Sequence, residues 1–187
     1  TALLGVEPRV VAHDLHPDYF TTRLARELGS SGGLERVAVQ HHHAHLASCL
    51  AENDFPRGAV VLGILFDGTG YGPDGTIWGG EILAGDLTDF RRVGHFDPVP
   101  LPGGDAAIRA PWRTAVSYLR HAFGGDFPGH SRFEERPVTE VLEMLDKGVN
   151  SPVTSSCGQH ERSLMTTCAE SAVRSADSDQ TCRSCTS

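Results

Sequence analysis

Nowhere in the 187 residues do about twenty apolar side chains run together, the length a membrane-crossing helix needs. The first residues also lack the basic and then apolar pattern of an export leader. Both shortages lead us to expect a soluble chain in the cytoplasm, with no membrane partner. Positive charge is scarce as well: 16 Lys and Arg face 24 Asp and Glu, a net charge of −8. A surface of that sign repels a phosphate backbone, so nucleic acid is not an expected partner. Before Cys157 the only cysteine is Cys49; Cys157, Cys168, Cys182 and Cys185 follow in the tail. Without an export signal, reduced thiols are expected rather than a disulfide frame. No solenoid-type repeat is present.

The 39% of hydrophobic residues suffice for a core, and their periodicity suggests an α/β fold. "VVAHD" starts with a short apolar run. A helix is expected from about Pro17, with Tyr19, Phe20, Leu24 and Leu28 on its apolar positions, and "GSSGG" at 29–33 as a loop. "ERVAVQ" reads as a buried strand, and "HHAHLASCLAEND" as a helix with Leu46, Cys49 and Leu50 inward. "GAVVLGILFDG" is a continuous apolar run that suits a central strand. "TIWGGEILAGDL" and "FRRVGHFDPV" read as its antiparallel partners, giving a mostly antiparallel three-stranded meander flanked by helices. "PWRTAVSYLRHAFG", with Pro111 in its first turn, and "PVTEVLEMLDKG", stopped by Gly148, are amphipathic helices. From about Ser151 the chain turns rich in Ser and Thr and poor in large apolar residues. Such a segment buries too little surface to offset its ordering entropy, and most of it is expected to be disordered.

Chemistry concentrates in a few stretches. "QHHHAHL" carries His41, His42, His43 and His45. On a helix starting near His41, His41 and His45 lie one turn apart on one face, about 5–6 Å between Cβ atoms. That spacing suits two imidazoles on one metal ion; a polar helix start explains it equally well. His42 and His43 point elsewhere, as outer or surface groups. The metalloprotease pattern H-E-x-x-H is excluded, because position 42 is not Glu.

In "LFDGTGYGPDGTIWGGE", Gly70, Gly72 and Gly75 match G-x-G-x-x-G, yet a strand follows where the dinucleotide fingerprint needs a helix. A calcium loop fails too, since Thr69 and Tyr71 lack carboxylates and Trp78 holds the twelfth position. What remains is a glycine-rich strand–turn–strand. Either its bare amides approach a phosphate, with Asp67 at the strand's end facing a cation, or it is an ordinary hairpin whose turn Asp67 begins. In "HDLHPDY", Asp14 or His16 is expected to cap the next helix, a substrate loop being the other reading. "PLPGGDAAIRAPWR" offers Asp105, Arg109 and Arg113 as anion or ribose contacts, against capping and surface pairing. The tail's Cys157, His160, Cys182 and Cys185 have a zinc-like count, but their irregular spacing and coreless surroundings do not suggest a structural zinc site.

Taken together, "VAHDLHPDYFTTRLA", "VQHHHAHLASCLAEN", "ILFDGTGYGPDGTIWGGEIL" and "LPGGDAAIRAPWRTA" closely resemble one family, in order from about Ala12 to Ser156. It is the carbamoyltransferase domain of the HypF-type NiFe-hydrogenase maturation proteins. That domain is similar to the tRNA threonylcarbamoyladenosine-forming proteins and the antibiotic O-carbamoyltransferases, all of the actin/hexokinase-like ATPase fold. The resemblance implies His41, His45 and Asp67 as ligands of one divalent metal ion, iron or zinc. It also implies Gly68, Thr69, Gly70, Asp105 and Arg109 as nucleotide or substrate contacts. The activity implied is transfer of a carbamoyl group from carbamoyl-adenylate, made from ATP, to the C-terminal cysteine of a HypE-type protein. That thiocarboxamide is then dehydrated to the nitrile that supplies cyanide to the hydrogenase iron.

The resemblance is partial. Residues 1–156 are read as a truncated carbamoyltransferase domain and 157–187 as a tail outside the family, the matching frame being lost at Gln159. The family's acylphosphatase-like, zinc-finger and adenylate-forming domains are not in the sequence, and neither is the later half of this domain. The chain alone is therefore expected to be inactive. A non-catalytic metal-binding fragment is the alternative, and a tRNA-modifying relative a weaker one.

Overall fold

The computed structural model describes residues 5–125, 127, 133 and 135–156. The expectations for the tail from 157 onward, including its order and its cysteines, lie outside the described residues. The described chain forms two compact units, one of residues 5–98 with 152–156 and the other of 99–151.

In the first unit, β1 (Val10–Asp14) leads through α1 (Phe20–Gly32) to β2 (Glu35–Val39), which pairs parallel to β1 with Asp14 opposite Val39. Next come α2 (His41–Glu52), β3 (Val61–Tyr71), β4 (Ile77–Gly85) and β5 (Phe90–His95). β4 is antiparallel to both β3 and β5. Because β5 pairs only with Glu81–Gly85, the Ile77 end of β4 stays open on that side. There β7 (Val153–Thr154) joins in parallel, with Thr154 opposite Ile77. The sheet is thus mixed. α2 lies on β3 and β4 and buries Leu46 and Leu50 with Trp78 and Leu83. Each such side chain contributes about 1.5–3 kcal/mol of hydrophobic stabilisation.

The second unit holds β6 (Val99–Pro100), the short α3 (Asp105–Arg109), α4 (Trp112–Phe123) and α5 (Val138–Lys147). Trp112, Val116 and Leu119 of α4 meet Val138 and Val141 of α5, with Phe127 and Phe133 completing that core. Gly148 ends α5 in the left-handed conformation, as the apolar periodicity and the glycine together require.

Several expectations need correction. β3 is an edge strand among the described residues, with only β4 beside it. Its apolar run splits by alternation: Val61 and Leu65 face α2, while Leu62, Ile64 and Phe66 stay exposed. β2 is mostly exposed rather than buried. α1 begins at Phe20, not Pro17, and runs through Gly29–Gly32, with the Ser30 and Ser31 hydroxyls bonded back to the carbonyls of Arg26 and Glu27. Cys49 points outward, since the buried face of α2 takes in His42, His43, Leu46 and Leu50. None of the described helices is long and apolar enough to cross a membrane.

Candidate metal centre

Three chain segments of the first unit bring polar groups together: the end of β1, the first turn of α2 and a step in β3. Gln40 starts α2. Its side-chain oxygen accepts the His43 amide at 2.8 Å, satisfying one of the free N–H groups of the helix start. His41 and His45 then share a face, their Nε2 atoms 3.3 Å apart.

β3 does not end at Asp67. Phe66 pairs with Gly80 and Gly70 with Trp78, so Asp67, Gly68 and Thr69 stand against Gly79 alone. Such a bulge turns a side chain away from its regular direction. Here Asp67 Oδ2 reaches His41 Nε2 at 2.8 Å and His45 Nε2 at 3.3 Å, and its Oδ1 accepts the Gly68 amide at 2.6 Å. Burial pushes the Asp67 carboxyl up, but the Gly68 amide and the neighbouring His41 and His45 rings outweigh it and hold the group below its ordinary value. The carboxylate is therefore ionised at neutral pH.

His41, His45 and Asp67 each offer one donor atom, all within 4.8 Å of one another. Donors about 2.0–2.1 Å from a tetrahedral zinc ion stand roughly 3.3 Å apart. The 3.3 Å between the two histidine nitrogens and between His45 and Asp67 matches that spacing, while the 2.8 Å between His41 and Asp67 is a hydrogen-bond distance that a cation would widen. Two imidazoles and one carboxylate suit zinc or iron, and three protein ligands leave a position for substrate. The His45 ring, 57% exposed, opens the cluster to solvent.

The other histidines of the run are buried, not on the surface. His43 Nε2 lies 2.9 Å from the Asp86 carbonyl oxygen, and its ring stacks on Phe90. His42 is fully buried beside Trp78. Burial keeps its ring below the ordinary histidine value, against the opposing pull of Glu81 and Asp67.

Gly68 and Thr69 are half-buried within the step, next to Asp67. Gly70 is buried, and a Cβ there would overlap the His42 ring, so its bareness lets α2 come close. The hairpin turn lies further on, where Asp74 accepts bonds from Thr76 and Trp78. Asp105 and Arg109 are the exposed first and last residues of α3, in the second unit. Neither Asp14 nor His16 caps α1, whose N-cap Tyr19 makes no side-chain bond. Asp14 turns instead to His41, with Oδ2 2.8 Å from Nδ1, a long-range contact that no local pattern signals.

A buried polar group missed in the sequence is Glu81, which is fully buried. It accepts bonds from Arg92 Nε at 2.5 Å, from the Gly79 amide at 3.0 Å and from the Ser155 hydroxyl. Arg92 also lies 4.1 Å above the Trp78 ring. The spacing of Glu81 from Arg92 across the β4–β5 turn was the available signal.

Comparison with known proteins identifies the family. Residues 63–164 match the family model "Carbamoyltransferase, Kae1-like Domain, second subdomain", and residues 1–52 match "HypF Kae1-like domain". The chain belongs to the HypF carbamoyltransferase family. It is 46% identical over 158 residues to Carbamoyltransferase HypF2 of Cupriavidus necator, covering 84% of this chain and 19% of that protein. Carbamoyltransferase HypF of Rhodobacter capsulatus is 45% identical over 159 residues, with 84% and 21% covered. A crystal structure of full-length HypF in a phosphate- and nucleotide-bound form superposes with a TM-score of 0.65 at 39% identity, over 82% of this chain and 23% of that one. A crystal structure of T. kodakarensis HypF gives a TM-score of 0.64 at 38% identity, over 79% of this chain and 20% of that one. The chain thus spans about a fifth of these HypF relatives.

Proposed function

We propose that the chain carries the metal-binding part of a HypF-type carbamoyltransferase with the actin/hexokinase-like layout. The observation behind this reading is the convergence of His41, His45 and Asp67 in a member of the HypF family. The two imidazoles and the carboxylate would hold one iron or zinc ion. A divalent ion there supplies Lewis-acid polarisation of the carbonyl or phosphate oxygens of carbamoyl-adenylate. Gly68 and Thr69, in the step beside Asp67, are candidate substrate contacts, the Gly68 amide being given to Asp67 Oδ1. Gly70 serves the same loop by admitting α2, and Asp105 and Arg109 are the candidate ribose or anion contacts of the second unit.

In the transfer itself, the thiolate of a HypE-type C-terminal cysteine attacks the carbamoyl carbon. A C–S bond forms, the C–O bond to the phosphate breaks, and its electron pair leaves with AMP. The thiol proton passes to solvent. Histidine ligands must be neutral to hold the ion, so this reading requires neutral imidazoles, each with one N–H, at His41 and His45.

The test supplies preformed carbamoyl-adenylate, so that only the transfer step is read, and follows the HypE-type protein by mass spectrometry. A full-length family protein carrying these residues forms the adduct on the terminal cysteine, and His41→Ala in it removes the adduct. Undiminished transfer in that variant would contradict the assignment. Metal uptake by the chain without any transfer in the full-length protein would favour a non-catalytic metal-binding role.

A further inference from the structure

His41 lies between two carboxylates. Its Nδ1 is 2.8 Å from Asp14 Oδ2 and its Nε2 is 2.8 Å from Asp67 Oδ2. The two sides of the ring are not equivalent. Around Asp67 Oδ2 a second imidazole nitrogen, that of His45, also converges at 3.3 Å. Asp14 approaches from the opposite edge of the ring and stands outside that cluster of donors.

Asp14 is also held in place. It is the last residue of β1, paired opposite Val39 just before α2 begins. Its Oδ1 accepts the His16 amide at 2.8 Å, and its carbonyl accepts the Thr22 hydroxyl at 3.1 Å. With one oxygen fixed by the backbone, the other is presented to His41 in a set direction. The Asp14 side chain is only 14% exposed, so little water competes for the contact.

We propose that Asp14 is a positioning residue: it accepts the Nδ1–H of His41 and thereby fixes the tautomer that leaves the Nε2 lone pair for the cation. This rests on the metal reading above. A carboxylate only accepts hydrogen bonds, and a neutral imidazole donates from one nitrogen and accepts at the other. Asp67 makes the same demand at Nε2, but with a cation on Nε2 the one ring proton is left on Nδ1, where Asp14 accepts it, orienting the ring and making Nε2 a stronger donor. Ligating histidines commonly use such a partner, and its loss weakens metal binding about 10–100-fold. Because Asp14 comes from β1, it couples the strand pair to the ligand set on α2 and β3.

The experiment measures zinc affinity of the purified full chain by competition with a chelating dye, for wild type, Asp14→Ala and Asp14→Asn. Long-range proton–nitrogen NMR reads the tautomer of His41 in the zinc-loaded state, and apo-protein melting separates folding from binding. Wild type binds one zinc with Nδ1 of His41 protonated. Asp14→Ala lowers the affinity about 10–100-fold and loses the protected Nδ1–H, while the apo protein still melts well above the assay temperature. Asp14→Asn, which keeps an acceptor oxygen, recovers part of the loss. Unchanged affinity and tautomer in Asp14→Ala would overturn the inference while leaving the metal reading intact. Wild-type protein that takes up no zinc would overturn both. If Asp14→Ala does not fold, Asp14→Asn decides: weaker binding than wild type supports the role, and equal binding refutes it.

Discussion

Asp67 and Gly79 meet where three residues of β3 stand against one of β4, and a Cβ on Gly79 would lie 2.5 Å from the Asp67 carbonyl oxygen. The same Cβ would lie 2.5 Å from the Ser156 Cα. Both neighbours are backbone, so neither yields cheaply. The missing side chain at Gly79 therefore sets how the Asp67 step is seated.

Gly79→Ala should cost about 1–3 kcal/mol of stability by overpacking and should weaken zinc binding by shifting Asp67. Chemical denaturation and dye competition measure the two effects. Wild-type affinity in a folded Gly79→Ala protein would show that the step tolerates a side chain and does not place the ligand.

The histidine run separates into two jobs. His45→Ala should abolish firm metal binding, because two remaining ligands hold the ion poorly, while apo stability changes little at so exposed a position. His43→Ala should do the reverse. It keeps the metal but removes the Asp86 contact and the Phe90 stack, at a cost of about 1–3 kcal/mol. Elemental analysis paired with thermal melting checks both variants, and equal metal loss in the two would contradict the division.

That division marks how far local sequence pattern determines the site. The start of α2 at His41 and the i, i+4 face of His41 and His45 follow from local spacing. The inward direction of His42 and His43 does not, because burial there depends on Trp78 and Phe90, far along the chain. Likewise the run at 59–66 reads as a buried central strand, yet alternation leaves Leu62, Ile64 and Phe66 bare. Composition reports apolar residues and is silent on which face meets a neighbour. Asp67 stood out as a candidate ligand, but the bulge that aims it depends on pairing with β4. The Asp14–His41 contact joins residues 27 positions apart, beyond the reach of any local pattern.

Glu81 predicts a pH dependence. Burial pushes its carboxyl up, but the Arg92, Ser155 and Gly79 bonds prevail and hold it below its ordinary value. A folded-state value below the unfolded one contributes stability above the unfolded carboxyl range, about pH 4.3, and that contribution fades as pH falls through the folded value. Glu81→Gln should therefore unfold more readily than wild type at pH 7, with a flatter decline in acid, so that the two curves converge once the pH has fallen below the lowered folded value of Glu81. Urea midpoints across that range measure it. A constant gap at every pH would show that the charge of Glu81 contributes nothing.

The account rests on one divalent cation held by His41, His45 and Asp67. The most direct measurement is zinc K-edge X-ray absorption on the dialysed, zinc-loaded chain, with zinc per chain determined on the same sample. We expect one zinc with nitrogen and oxygen neighbours at about 2.0–2.2 Å, and its loss in His41→Ala. A sample that retains no zinc would contradict the account, as would a shell of sulfur neighbours at about 2.3 Å, which would place the ion on cysteines instead.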